Sequence, residues 1–257
     1  MVANFFIPPP IVTTSNVSMR FGRIEALRDI SFEVSAGSIF GLVGSDGAGK
    51  STLLRLVATM IKPSQGEIYV DGLNVVSERR KVKSVIGYMP QRFGLYQDLT
   101  VEENIEFFMD IFNIPRAQRK KRKEKYLGFS NLLPFVERSA GDLSGGMKQK
   151  LGLACVLVHE PKVLILDEPT NGVDPVSRRE FWEILMSMKK EGMTILVSTA
   201  YLDEGEICDK LALMHRAVIL DTATPTDMRK DFDNLEEAMI ERIKEEDKDI
   251  EHDTFQF

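Results

Sequence analysis

The run Gly44-Ser45-Asp46-Gly47-Ala48-Gly49-Lys50-Ser51-Thr52 constrains this chain more than any other stretch. It fits G-x-x-x-x-G-K-[ST] and lies between the apolar segment Ile39 to Val43 and a helix expected to start near Lys50. That context predicts an α/β fold built on a phosphate-loop core. Glycines open backbone conformations closed to other residues, so successive N–H groups can point at phosphate oxygens, and the helix N-terminus adds partial positive charge. Lys50 is then expected to neutralise the β and γ phosphates of a nucleotide, and the Ser51 hydroxyl to ligate Mg²⁺. Average residue frequencies produce the pattern by chance on the order of 1% of the time in a chain of this length. A glycine-rich turn without a ligand is the competing reading.

Composition excludes several classes. The 257 residues are 43% hydrophobic and 28% charged, with a formal net charge of -6, long enough to bury a substantial core. An acidic balance speaks against a general nucleic-acid binder, which usually shows a basic domain. No uninterrupted apolar run approaches the ~18–20 residues needed to span a bilayer; the most apolar window, Leu151 to Leu166, is broken by His159, Glu160, Pro161 and Lys162. The N-terminal residues lack the basic and apolar regions of a signal peptide. Cys155 and Cys208 have no metal-ligand spacing, so a reduced cytosolic compartment is expected. Any membrane role therefore comes through a partner chain.

Along the chain, residues 1–10 read as a lead-in, because three successive prolines forbid regular helix or central strand. Short strand-like runs dominate from Ile11 to Asp71, with Ile30 to Val34 and Ile68 to Val70 as examples, and Val85 to Met89 reads as a buried strand leading to Gln91. From Phe93 to Gln149 the pattern becomes helical: Val101, Ile105, Phe108 and Phe112 share a face. A basic run follows, from Arg116 through Arg119, Arg122 and Lys123 to Lys125, which is either a solvated helix face or a contact for anionic lipid headgroups. Val163 to Leu166 is a continuous apolar strand, as expected where helices cover both sheet faces. Pro175 suits a first helical position, Phe181, Ile184, Leu185 and Met188 form that helix's buried stripe, and Gly192 stops it. Thr194 to Ser198 is another strand, and a hairpin turns around His215-Arg216. The acidic tail from Asp233 is expected to be helical through Leu235, Met239 and Ile243. The spacing divides the chain into a lead-in (1–10), a core with a β subdomain (11–92 and 157–225), a helical subdomain (93–156) and a tail (226–257).

Asp167 and Glu168 stand at the carboxyl end of the strand from Val163, where ligands bind in open α/β sheets. Their expected roles differ: Asp167 holds Mg²⁺ through water, and Glu168 polarises the attacking water as general base. Two carboxylates capping the next helix is the bland alternative. Gln91, at the end of its own strand, is a further water and Mg²⁺ ligand. In Leu143-Ser144-Gly145-Gly146-Met147-Lys148-Gln149, Ser144, Gly145 and Gly146 at a helix start offer a hydroxyl, free N–H groups and a dipole suited to a γ-phosphate. Alone, such a triplet would more often be a capped turn.

Phosphate loop, heptad and paired carboxylates, in that order, resemble the ATP-binding cassette family over about residues 11–225. The resemblance implies a phosphate-loop NTPase core with an antiparallel β subdomain and an inserted α-helical subdomain, using ATP and Mg²⁺. It implies a head-to-tail dimer in which Ser144 acts on ATP held by the opposite subunit. Asp174, in Asn171-Gly172-Val173-Asp174, matches the loop through which the two sites communicate, and Phe21, in Met19-Arg20-Phe21-Gly22, matches the aromatic that stacks on adenine. Taken alone, Phe21 would more often be a core residue. The stretch Tyr88 to Thr100 and the tail Asn234 to Met239 resemble the class that exports drugs, polysaccharides or lipids. The implied partner is a polytopic membrane permease, with this chain on the cytoplasmic face of the membrane and no nucleic acid bound. Soluble cassette ATPases are the rival, but only about 100 positions separate Gly44 from Ser144, too few for a long coiled coil.

One position departs from the pattern. Ser198-Thr199-Ala200-Tyr201 has alanine where the family usually has a histidine that touches the γ-phosphate. A positioned acid–base group is worth about 10²–10⁴ in rate, so hydrolysis is expected to be slow while ATP binding survives. Three readings fit: a natural variant whose partner cassette retains the histidine, a slowly hydrolysing homodimer, or an introduced replacement. A regulatory subunit that binds ATP without turning it over remains the second class.

Overall fold

In the computed structural model, residues 9–254 are described. Residues 1–8 of the expected lead-in, and 255–257 of the tail, lie outside the described residues. Among the described residues there are two sheets. The first is antiparallel, with β1 (Pro10–Phe21), β2 (Ile24–Ser35), β4 (Gln65–Val70) and β5 (Leu73–Asn74) in the order β2-β1-β4-β5. The second contains β3 (Ile39–Gly44), β6 (Ile86–Met89), β7 (Val163–Asp167), β8 (Thr194–Thr199), β9 (Lys210–His215) and β10 (Val218–Ala223), ordered β10-β9-β3-β8-β7-β6. Strands β9, β3, β8, β7 and β6 are parallel, and β10 returns antiparallel along the edge.

The parallel strands are apolar throughout because both faces are covered. Period-two alternation sends neighbours to opposite cores. Leu164 and Leu166 of β7, with Ile195 and Val197 of β8, face a core shared with the helices α3 (Val101–Ile111), α4 (Arg116–Phe129), α5 (Gly145–Leu157) and α6 (Pro175–Lys190). Val163, Ile165, Leu196 and Phe40 face the other core, with α1 (Lys50–Val57), α2 (Arg79–Val85) and the antiparallel sheet. Each such side chain stabilises the fold by roughly 1.5–3 kcal/mol. The short α7 (Leu202–Gly205) and α8 (Pro225–Met228) and the long α9 (Leu235–Thr254) complete the chain. Leu235 and Met239 are buried and Ile243 packs against them, as the spacing predicts.

Two expectations are corrected. Pro10 pairs with Ser35 as the first residue of β1, a place where the missing N–H is tolerated. And β1 and β2 are twelve residues each, not a series of short runs. In β1 the buried positions are Val12, Thr14, Val17 and Met19; in β2 they are Leu27, Ile30, Phe32 and Val34. The alternation changes phase at Asn16 and Asp29, whose φ values are 50° and 52° and whose side chains bond each other at 2.7 Å. Register shifts between Thr14 and Val17 mark the same irregularity. A bulge thus breaks the periodic signal without ending the strand.

The basic run lies on α4 and is partly neutralised. Arg119 pairs with Asp110 at 2.6 Å, Arg122 with Glu160 at 2.8 Å, Lys125 with Glu191 at 2.8 Å, and Lys123 with Glu102. Arg116, Lys120 and Lys121 are exposed.

Candidate nucleotide-binding site

The loop from Gly44 to Thr52 connects the carboxyl end of β3 to the start of α1. Its shape depends on glycine at two points of close approach. Gly44 has φ 147°, and a Cβ there would lie 2.0 Å from the Met214 carbonyl oxygen. Gly49 has φ 107°, and a Cβ there would lie 2.7 Å from that of Ala26. Strands β9 and β2 therefore press on the loop from two sides. Lys50 is 4% exposed, and its Nζ donates to the carbonyls of Gly44 at 2.7 Å and Ser45 at 3.0 Å. It also stands 3.7 Å from Glu168 Oε1.

The two carboxylates at the end of β7 have separate surroundings. Asp167 is 1% exposed, and its Oδ1 accepts from Ser51 Oγ at 2.8 Å and Ser198 Oγ at 2.9 Å. Glu168 turns toward the cavity, with φ 47°, and its Oε2 accepts from Gln91 Nε2 at 2.8 Å and Asn171 Nδ2 at 3.1 Å. Glu168 and its partners border a cavity of about 470 Å³. Loop residues 46–52, Gln91, Glu168 and Asn171 line it, with Ile24, Glu25 and Ala26 of β2 as the opposite wall. The volume falls within the ~300–1,000 Å³ of small-molecule sites. Among the described residues no cluster of three or more His, Cys, Asp or Glu could cage a metal ion. A hydroxyl and a carboxylate side by side, Ser51 and Asp167, are instead the sparse oxygen set that suits Mg²⁺ shared with phosphate oxygens.

A family model described as ABC transporter matches residues 27–171, more than half of the chain. The chain belongs to the ABC transporter family. The probable multidrug ABC transporter ATP-binding protein YbhF of Escherichia coli K12 is 46% identical over 217 residues, which is 84% of this chain and 38% of that relative. This chain thus spans under two fifths of YbhF's length. The solved structure of cbiO1 from Clostridium perfringens, part of the ABC transporter complex cbiONQ, matches with a TM-score of 0.81 at 28% identity, covering 87% of this chain and 92% of that one. The ATP-binding cassette MJ0796, in a dimeric post-hydrolysis state bound to ADP and Pi, matches with a TM-score of 0.74 at 25% identity, covering 83% and 98%. The fold is that of an ABC ATPase domain, with mixed antiparallel and parallel sheets around a phosphate loop.

Within this ABC chain, not every residue singled out from the sequence meets at the cavity. Lys50, Ser51, Gln91 and Glu168 do, with Asp46 to Thr52 around them; Asp167 lies buried behind Ser51, which donates to it, and Gly44 and Ser45 form the loop's entry. Ser144, Gly145, Gly146 and Asp174 are brought to one another elsewhere. Ser144 caps α5, accepting from the Met147 N–H at 3.3 Å, and both it and Gly145 are exposed. Asp174 caps α6, accepting from the Ser177 N–H at 3.0 Å. That bond, with others nearby, holds the Asp174 carboxyl below the usual carboxylate range. Gly146 meets the same residue: a Cβ there would lie 2.4 Å from Ser177 Cβ. Phe21 stands 48% exposed at the turn between β1 and β2, three positions before Ile24 of the cavity wall.

Sequence reasoning missed Asn171, Ser198 and the wall of Ile24, Glu25 and Ala26. Asn171 had a local signal, since an Asn three positions after a carboxylate can fold back on it. Ser198 reaches Asp167 only because β7 and β8 are neighbours. Ala200, directly after β8, is exposed and brings no donor or acceptor side chain to the site.

Proposed function

We propose that this chain binds Mg²⁺-ATP in the cavity beneath residues 44–52 and hydrolyses it, powering export through a separate polytopic membrane subunit. One observation carries the hydrolytic reading: Glu168, directly after β7 and lining the cavity, is held by Gln91 on one side and lies 3.7 Å from the Lys50 ammonium on the other. Lys50 and the loop N–H groups bind the β and γ phosphates and offset their charge. Glu168 takes a proton from the attacking water, and the amides of Gln91 and Asn171 fix the orientation of its second oxygen. Ser51, Asp167 and Gln91 would hold Mg²⁺, which would supply charge neutralisation on the transferring phosphate oxygens. Phe21 stacks on the adenine at the edge of the wall that Ile24 begins.

Ser144, with Gly145 and Gly146 behind it, serves the nucleotide of a second cassette, identical or not, in a head-to-tail dimer that Asp174 helps to couple. The support is that Ser144 and Gly145 are exposed yet away from this chain's own cavity, and that MJ0796 is dimeric. The ATP-binding core comprises 11–92 and 157–225, and 93–156 form the helical subdomain that meets the membrane subunit on its cytoplasmic side. YbhF's name supports the exporter class. Among the described residues no helix is long and apolar enough to cross a membrane, so the permease is a separate chain or segment.

Ala200 favours a second reading, an ATP-binding regulator with little turnover of its own. Phosphate release under Mg²⁺-ATP, beside Glu168→Gln as background and Lys50→Ala as a binding control, separates the two. Turnover above the Glu168→Gln background, lost with Lys50→Ala, supports the ATPase. Tight ATP binding with no turnover, alone or beside a membrane partner, supports the regulator.

A further inference from the structure

Outside the phosphate-loop site, Glu204 of α7 is the least exposed carboxylate among the described residues, at 1%. It joins three segments. Its Oε1 accepts from Thr170 Oγ1 at 2.6 Å, two positions after Glu168. Its Oε2 accepts from Thr199 Oγ1 at 2.5 Å, at the end of β8 and next to Ala200. The Arg178 guanidinium of α6 stands 3.3 Å from Oε1, itself fixed by Asp203 at 2.8 Å and by the Tyr201 ring 3.9 Å away. Thr170 and Thr199 are each 1% exposed, so neither hydroxyl has water as an easy alternative. Charge-assisted bonds of this kind are the strong class, and removing the carboxylate would leave two buried hydroxyls without their acceptor and Arg178 with Asp203 as its remaining carboxylate.

The tether matters because of what it holds. Glu168 adopts φ 47°, a conformation that a non-glycine residue keeps only when its surroundings impose it. On the sheet side its N–H is bonded to Ser198 O at 3.1 Å and Ser198 Oγ at 3.0 Å. On the far side, the segment that continues from it is tied down through Thr170.

We propose that Glu204 is a positioning residue for the hydrolytic centre: it clamps the segment that carries Glu168 to the end of β8, a bridge for which Ala200 has no side chain. The kinetic arm of its test rests on the ATPase reading above; the exchange arm does not. Thr170→Val removes the hydroxyl and keeps the shape, Thr170→Ser restores the hydroxyl, and Glu204→Gln keeps the size of the hub. Hydrogen–deuterium exchange is followed at the amides of Asn171 and Val173, which are bonded within this segment, at that of Glu168, which is bonded to Ser198 of β8, and at those of β3. Thr170→Val and Glu204→Gln are expected to speed exchange at the first set roughly tenfold or more. The β3 amides are expected to stay within about twofold, and Thr170→Ser to match the parent chain. The same pair should lower kcat for Mg²⁺-ATP by roughly tenfold with KM within about twofold, again rescued by Thr170→Ser, since small displacements of a reacting group are costly. Exchange that rises everywhere, exchange unchanged at 168–173, or faster exchange with unchanged kcat each overturns the proposal. If Glu204→Gln does not fold, Thr170→Val and Thr170→Ser decide alone. If the parent chain shows no turnover above Glu168→Gln, the ATPase reading has failed, and exchange at 168–173 alone sustains or overturns the clamp.

Discussion

Ala200 follows the last residue of β8 and shares a cavity of about 350 Å³ with Gly44, Ser45 and Asp46, closed on its other side by Met239 and Ile243 of α9. A larger side chain has room there without displacing the phosphate loop. Ala200→His is therefore expected to fold normally and to raise Mg²⁺-ATP turnover about 10²-fold, the lower end for a positioned acid–base group. Steady-state phosphate release checks this; an unchanged rate would mean that position 200 does not limit the reaction. At this scale the sequence was informative wherever the relevant residues were neighbours in the chain. Lys50, Ser51, Asp167 and Glu168 announce themselves because loop and strand end each carry their own spacing. Gln91 was legible as a strand-end water and Mg²⁺ ligand, but its bond to Glu168 depends on β6 lying beside β7. Ile24, Glu25 and Ala26 carry no mark of their own, since a wall is made by folding, not by residue type.

Helices bring a different kind of evidence. Gly146 reads as a phosphate-facing glycine in the sequence, yet it also lets α5 approach Ser177 of α6. Gly146→Ala gains up to ~1 kcal/mol of helix propensity, but it forces a Cβ against another Cβ, at a cost of about 1–3 kcal/mol for overpacking. A net loss of stability is expected, measured as a lower urea midpoint with an unchanged m-value. His159, just beyond α5, stacks on Phe112 at the end of α3 with ring centroids 4.0 Å apart, and its Nε2 lies 2.8 Å from the Ile86 carbonyl of β6. Burial holds its pKa below the ordinary 6.5. The unfolded chain then takes up the proton first as pH falls. The contribution of His159 to stability is complete above about pH 6.5 and declines below it. His159→Gln, which keeps a donor but does not titrate, should flatten the slope of Tm against pH just below that value. Among the elements, buried strands and amphipathic helices were legible because their periodicity is unbroken. The two long antiparallel strands were not, because bulges at Asn16 and Asp29 invert the alternation halfway along each.

At the scale of the whole molecule, the parallel sheet divides the interior into two cores, and its strands serve both. Cys155 and Cys208 are both buried in the core that holds α5. Burial pushes the Cys155 thiol up and the Cys208 thiol up to about 12, which leaves almost no thiolate near neutrality. Native protein is expected to show neither thiol to a disulfide reagent over minutes, with both of the chain's two cysteines appearing on denaturation. Rapid reaction of one thiol would reveal local opening near α5 or α7. The order of the strands also sets a schedule for synthesis. The antiparallel sheet closes on partners no further along than Asn74, so it can form while most of the chain is still to come. Strand β3, from which the phosphate loop springs, lies between β8 and β9, and its Ile39 pairs with Ile195. At roughly 5–20 residues per second, translation delivers that partner about 8–30 s later. The segment that announces the nucleotide earliest in the sequence is thus among the last to acquire its place, and for that interval a strand of six largely apolar residues must be kept from pairing with something else.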